Sequence, residues 1–188
     1  MKRGARQGGV CRDSDWCDIF GMTKLSPDHL TAWEVVRLLK LEPLDQEGGY
    51  FRRTGESATV LPGGKRAWSM IYFLVTPEGF SAMHRVAQDE IWTFHAGDPL
   101  ESLRLRPDGT GEWVKLGLNL AQGERPQDVV PAQTWQGTRL AAGGRWALVT
   151  CVVAPEFRLS DFELGGCDAL GAAYPAFADG IRALTRAG

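Results

Sequence analysis

Apolar positions along the chain change period once. Leu30, Trp33, Val36 and Leu39 recur close to helical spacing. Ser26-Pro27-Asp28 reads as the start of that helix: serine caps, proline suits the first turn, and aspartate faces the positive end of the dipole. The helix is predicted to end around Leu41, because Pro43 restricts the residue before it. Short segments rich in Val, Ile, Phe, Tyr, Trp and Thr follow, separated by Gly, Pro and Asp turns. The predicted strands are Ala67–Thr76, Ser81–Val86, Glu90–His95, Ser102–Arg106, Gly111–Leu116, Asp128–Val130, Trp135–Arg139 and Trp146–Val153. Pro77-Glu78-Gly79, Gly97-Asp98-Pro99, Pro107-Asp108-Gly109 and Gly143-Gly144 mark turns between them. Such a grammar predicts a mainly β sandwich or barrel, not alternating βαβ units. Pro175–Thr185 is predicted as a short C-terminal helix.

The 188 residues suit one domain with a tail. Residues 1–21 are polar, glycine-bearing and aperiodic, so residues 1–24 are expected to form a flexible extension, with Met22 an alternative start. No apolar run reaches the ~20 residues that span a bilayer, and the N-terminus lacks the apolar core of a secretory signal. A net charge of -2 argues against nucleic acid as a partner. Cys11, Cys17, Cys151 and Cys167 form no C-x-x-C pair; Cys151 reads as a buried free thiol, and the compartment as reducing, hence cytoplasmic.

The stretch Gly79–Gly97 carries the candidate chemistry. Side chains in a strand alternate between faces, so His84 shares a face with Val86, and Glu90 with Trp92 and Phe94. On a hairpin lining a barrel, His84 and Glu90 would both point inward, where a buried imidazole and carboxylate need partners. Asp89 is expected to cap that hairpin, and His95, on the opposite face from Glu90, to close the following turn.

Gly79, His84, Glu90 and Gly97 resemble the first motif of the cupin superfamily, with Val86 where a second histidine would stand. Pro131 resembles the start of the second motif, with Gln133 in place of its glycine and Gln136 in place of its histidine. Glu47–Arg53, Ser81–Leu100, Gly123–Gln136 and Val153–Leu164 together resemble the Cupin_5 (DUF985) family, though Thr93 stands where histidine is frequent. The resemblance spans roughly residues 41–165, within one cupin domain over residues 25–188. It implies a cupin double-stranded β-helix, a jelly-roll-like barrel, with an N-terminal and a short C-terminal helix. It also implies a homodimer and kinship with dTDP-4-dehydrorhamnose 3,5-epimerase.

Metal-binding cupins supply three histidines and a glutamate. Here only His84 and Glu90 survive, with Gln136 as a neutral oxygen donor, so no cofactor is expected and a divalent metal on these three is the weaker alternative. An epimerase or isomerase acting on a carbohydrate derivative would need a base and an acid. His84, oriented by Glu90, is the candidate base, and Tyr72 or Tyr50 the candidate acid. Glu47, Tyr50, Arg52, Trp92 and Gln136 are the candidate ligand contacts, for a small sugar-like or anionic molecule. Arg52 and Arg53 face opposite sides of an extended segment, so only one can meet the ligand. A binding module that holds such a ligand without turning it over is the alternative to an enzyme. Trp135 reads as core.

Overall fold

A computed structural model describes residues 24–186. The expected extension up to residue 23, with Met22, Cys11 and Cys17, lies outside the described residues.

Helix α1 (Ala32–Leu39) begins later than Ser26-Pro27 predicts. Ser26 instead closes a turn, its carbonyl accepting the N–H groups of His29 and Leu30 at 3.0 and 2.9 Å. The helix starts at Thr31, whose hydroxyl accepts the Glu34 N–H at 3.3 Å while the Glu34 carboxylate accepts the Thr31 N–H at 2.8 Å. That reciprocal pair satisfies two otherwise orphaned donors, more than a lone serine cap can. Lys40, left-handed at φ 52°, ends the helix.

Eleven strands, β1 (Glu42–Pro43), β2 (Tyr50–Glu56), β3 (Ser69–Val75), β4 (Ser81–Val86), β5 (Asp89–Gly97), β6 (Leu100–Leu105), β7 (Gly111–Leu116), β8 (Gln127–Val130), β9 (Trp135–Leu140), β10 (Ala147–Ala154) and β11 (Phe162–Leu164), form two sheets. One runs β1-β2-β3-β10-β5-β8 and the other β11-β4-β9-β6-β7, with antiparallel pairing between these strands. All eight predicted strands are present, β4 and β7 with the predicted bounds. β1, β2 and β11 were not among them: in β2 the preceding Gly48-Gly49 and its own Arg52, Arg53 and Gly55 hide the strand signal.

Strand parity sorts the side chains into three layers. Phe73, Val75, Trp92, Phe94, Leu100, Leu116, Val130, Val149 and Cys151 pack between the sheets. On the outside of the six-stranded sheet, Leu74, Trp146 and Leu148 meet Val35 of α1. On the outside of the five-stranded sheet, Met83, Leu103 and Leu105 meet Leu170, Ile181 and Leu184 from α2 (Cys167–Ala173) and α3 (Ala178–Leu184). The predicted Pro175–Thr185 helix is divided, with a 3-10 turn at Pro175–Phe177 before α3. Burying apolar surface on both outer faces as well as between the sheets gives the barrel its rigidity.

Gln133, in the loop before β9, is left-handed at φ 65°, and its N–H donates to the Val86 carbonyl at 2.9 Å. Its side chain is exposed. The backbone conformation, not side-chain contact, is therefore what residue 133 contributes. Gln133→Gly is expected to raise stability by about 0.5–1 kcal/mol, the left-handed strain relieved less the entropy glycine adds to the unfolded chain. Urea denaturation checks this; a lower midpoint for the variant would refute it.

Candidate functional site

Among the described residues, two concavities stand out. A groove of about 620 Å³ on the outside of the five-stranded sheet is lined by Trp113, Arg139 and Phe177 among others. Its arginine is already engaged, with Arg139 on the Glu101 carboxylate at 3.1 Å and over the Trp113 ring. A cavity of about 490 Å³ opens inside the barrel instead, and Phe51, Arg53, Ile71, His84, Val86, Glu90, Cys151 and Val153 line it. Segment 43–47 and the aromatic strap bearing Phe157 and Phe162 complete its walls. A concave, largely apolar pocket with few polar groups at its floor is the usual form of a small-molecule site.

The floor is built from strand pairing. Gln136 of β9 lies opposite His84 of β4, and opposite Arg104 of β6 on its other side. Arg104 Nη1 donates to Gln136 Oε1 at 2.8 Å, which fixes the orientation of the amide. The amide nitrogen then donates both ways, to Glu90 Oε2 and to His84 Nε2, the latter at 3.2 Å. His84 Nδ1 lies 2.8 Å from the Ala82 carbonyl, so the imidazole carries its proton there and accepts at Nε2. Phe162 stacks on the His84 ring at 5.2 Å and 25°. Arg104 also donates to Asp128 Oδ2 at 3.4 Å. Burial pushes the Arg104 guanidinium downward, opposed by the charges of Asp128 and Glu90.

Glu47 enters from the loop ahead of β2. Its carbonyl accepts the Ala82 N–H at 2.9 Å, and the chain turns through Gly48 and Gly49 at φ 105° and 72°. A side chain at Gly49 would meet the Leu74 carbonyl at 2.7 Å, so a glycine is needed there. Glu47 Oε1 accepts the Ser81 hydroxyl at 2.5 Å and stands 3.9 Å from His84 Nδ1. Burial holds the Glu47 carboxyl above the usual carboxylate range, with the charge of Glu90 adding and His84 and Ser81 opposing. Ser81 and His84, three residues apart, both face inward because the β4–β9 register shifts between them.

His84, Glu90, Gln136 and Glu47 thus come together. The expected pairing of His84 with Glu90 is replaced by a shared bond to Gln136, which lies fully buried beneath the cavity. Tyr72 and Tyr50 do not reach this site. Both pack on the α1 side of the six-stranded sheet, because they alternate with the inward Ile71, Phe73 and Phe51. Arg52 follows them, lying over the Tyr72 ring at 5.8 Å, and Arg53 is the arginine at the cavity mouth. Trp92 faces inward but lies in the core, edge-on to Phe73. His95 meets Thr150 Oγ1 rather than the Gly97 turn, and Asp89 accepts the Ala132 N–H at 2.8 Å rather than capping its own hairpin.

Arg104, Asp128, Ser81 and Cys151 were not anticipated as site residues. Arg104 was legible in principle: two residues from Ser102 in a strand, it shares that face, and an inward arginine demands acid partners. The bulge that aims Ser81 has no signal in strict alternation.

The donor set does not fit a divalent metal. The Gln136 oxygen faces Arg104 and the His84 Nε2 lone pair faces the amide, so only Glu90 keeps a free donor atom of the three. Among the described residues, no three His, Cys, Asp or Glu side chains group to hold a metal ion.

Residues 33–165 match the Cupin_5 family, described as cupin superfamily (DUF985). A crystal structure of a protein from Shewanella oneidensis is 38% identical, with a TM-score of 0.79 over 85% of this chain and 99% of that one. A hypothetical protein from Leishmania major is 32% identical, with a TM-score of 0.77 over 84% of this chain and 100% of that one. A cupin 2 conserved barrel domain protein from Rhodopseudomonas palustris, 17% identical with a TM-score of 0.52 over 78% of this chain and 86% of that one, shares the fold. No curated protein matches the chain. No described helix is long and apolar enough to cross a membrane. With the family match covering both sheets and the barrel cavity, the chain belongs to the Cupin_5 (DUF985) family of the cupin superfamily.

Proposed function

We propose that the barrel cavity binds a small organic molecule through hydrogen bonds donated by the ligand, without a metal. The observation that carries this reading is the polarity of the floor. Glu90 and Glu47 offer carboxylate oxygens, whereas the donors around them are spent: Gln136 on Glu90 and His84, Ser81 on Glu47, and His84 Nδ1 on the Ala82 carbonyl. A hydroxyl or amino group would satisfy those acceptors; an anion would meet like charge. The apolar walls, Phe51, Ile71, Val86 and Val153, suit a carbon skeleton. The free Cys151 and Cys167 thiols support a reducing, cytoplasmic setting.

A second reading, proton transfer next to a carbonyl as in an epimerase or isomerase, draws support from Glu47. A carboxyl that burial pushes upward, with a second carboxyl group beside it, is how two acids divide the roles of acid and base. Glu47 takes the part that Tyr72, on the outer face, is not positioned to play, and His84, with both nitrogens engaged, orders the floor.

A thermal-shift screen over sugars, sugar nucleotides, amines and keto acids, followed by calorimetry, tests the binding reading. Glu90→Gln is expected to weaken a hit about tenfold or more, as loss of one charged hydrogen bond would. Equal affinity for the variant would remove the floor from recognition. For the enzyme reading, NMR of the hit in deuterated water should reveal deuterium next to its carbonyl with the native protein and none with Glu47→Gln. Undiminished exchange in that variant would exclude Glu47 as the acid.

Glu47 also predicts a pH dependence. Its carboxyl is raised in the folded state, so its contribution is fully present below the unfolded value, 4.5, and is lost as pH rises through the folded value. Relative to Glu47→Gln, the native protein should lose stability as pH rises above 4.5. Denaturation curves below and above that value check the sign; a constant difference contradicts it.

A further inference from the structure

The charges inside the barrel do not balance. Among the described residues, Glu47, Glu90 and Asp128 bring three carboxyl groups to the interior against one buried cation, Arg104, which stands 3.4 Å from Asp128 and reaches Glu90 only through the Gln136 amide. Arg104 does not line the cavity, and Arg125, the other partner of Asp128, is 55% exposed at the side chain. His84 spends Nδ1 on the Ala82 carbonyl and Nε2 on the Gln136 amide, so neither nitrogen is left to meet an anionic ligand. Arg53 at the mouth is spent on Glu56 at 3.0 Å and is 44% exposed. Arg186 lies outside the cavity lining, over the Phe80 ring, with its guanidinium on the Glu47 carbonyl. The phenyl rings of Phe51, Phe157 and Phe162 line the same cavity, that of Phe162 stacked on His84.

From this we infer that the cavity recognises a protonated amine with an apolar body, its ammonium on Glu90 and Glu47 and its body among the phenyl rings. The inference rests on the donor-ligand reading above and narrows it to an organic cation. An ammonium supplies up to three donors to carboxylate oxygens that otherwise share the single donors of Gln136, Ser81 and the weak Cys151 thiol, and it supplies the missing positive charge. Phenyl rings beside it add cation–π attraction, which a neutral hydroxyl does not gain. Binding also has a proton consequence. An ammonium beside Glu47 opposes the upward push that burial gives its carboxyl, so the amine favours the ionised form, and a proton that the carboxyl gives up passes to the buffer while the amine keeps its own. The groups facing Glu47 are Ser81 and His84 from β4, Glu90 from β5, and Arg186 from beyond α3.

Three probes of matched shape separate charge from size: 2-phenylethylamine, 2-phenylethanol and phenylacetate, titrated calorimetrically into the full chain at neutral pH. The amine should bind at least tenfold more tightly than the alcohol, and phenylacetate should give no measurable binding. Amine affinity measured across pH should rise as pH increases above 4.5 and Glu47 ionises, a rise absent in Glu47→Gln. Glu90→Gln should abolish the preference for amine over alcohol; thermal melting first establishes that each variant is folded, and either variant suffices. Alcohol or phenylacetate binding as tightly as the amine overturns the inference. Failure of the amine to bind overturns it as well. If a neutral polyol then binds in the cavity, the donor-ligand reading survives alone; if neither binds, both fall.

Discussion

The Gln136 amide is the constraint on which the cavity floor depends. It is a neutral group with two donors and one acceptor, set among a cation, an anion and an imidazole. Because Arg104 claims the oxygen, both N–H groups must face the cavity side, where they hold Glu90 and His84. A histidine at residue 136 has no such division: with its proton on one nitrogen it offers one donor and one acceptor. Glutamine therefore converts a position that would ligate a metal into one that orders two neighbours. The arginine is held in turn by Asp128, so a buried charge is compensated on both sides rather than stranded, as burial requires.

That bridge depends on strand register. Residues 84, 136 and 104 are cross-strand neighbours in successive pairs of the five-stranded sheet, and Glu90 comes from the facing sheet. A one-residue slip in β9 would turn Gln136 outward and bring Gly137 inward, leaving Arg104 and Glu90 without their shared partner. Outer packing guards against the slip: a side chain at Gly137 would meet Met83 at 2.6 Å and Leu184 at 3.2 Å, so only glycine fits under the C-terminal helices there. The helices on the far side of the sheet thus help set the chemistry of the interior.

How much of this was legible in the sequence follows from the same physics. Strand existence was legible, because Val, Ile, Phe and Trp segments between Gly, Pro and Asp turns leave few alternatives. His84 and Glu90 were legible as inward residues, since polar groups among apolar neighbours demand partners. The assignment failed where parity needs an anchor. Nothing in Tyr50-Phe51-Arg52-Arg53 says which pair faces the cavity, and the choice of Tyr50 and Arg52 was the wrong one; the observed choice follows from Phe51 packing between the sheets and Tyr50 packing beside α1. Tyr72 failed for the same reason. The helix start failed because a reciprocal cap at Thr31 and Glu34 competes with a serine-proline start five residues earlier. Ser81 needed a register shift, which only the paired strand can impose.

Cys151 bears on what the cavity can do, since a thiol beside a ligand invites comparison with nucleophilic sites. Its surroundings oppose that role. Burial pushes the thiol well above its ordinary value, and the carboxylates of Glu90 and Glu47 push in the same direction, with Arg104 opposing only in part. Reactive cysteines sit in electropositive, partly exposed places, and Cys151 has neither property at 3% exposure. The same field that disfavours a thiolate favours a cation, so the inertness of the thiol and the acidity of the floor have one cause. Cys151 then contributes shape, as a small apolar side chain that keeps the space beside Glu90 open where a leucine or phenylalanine would fill it.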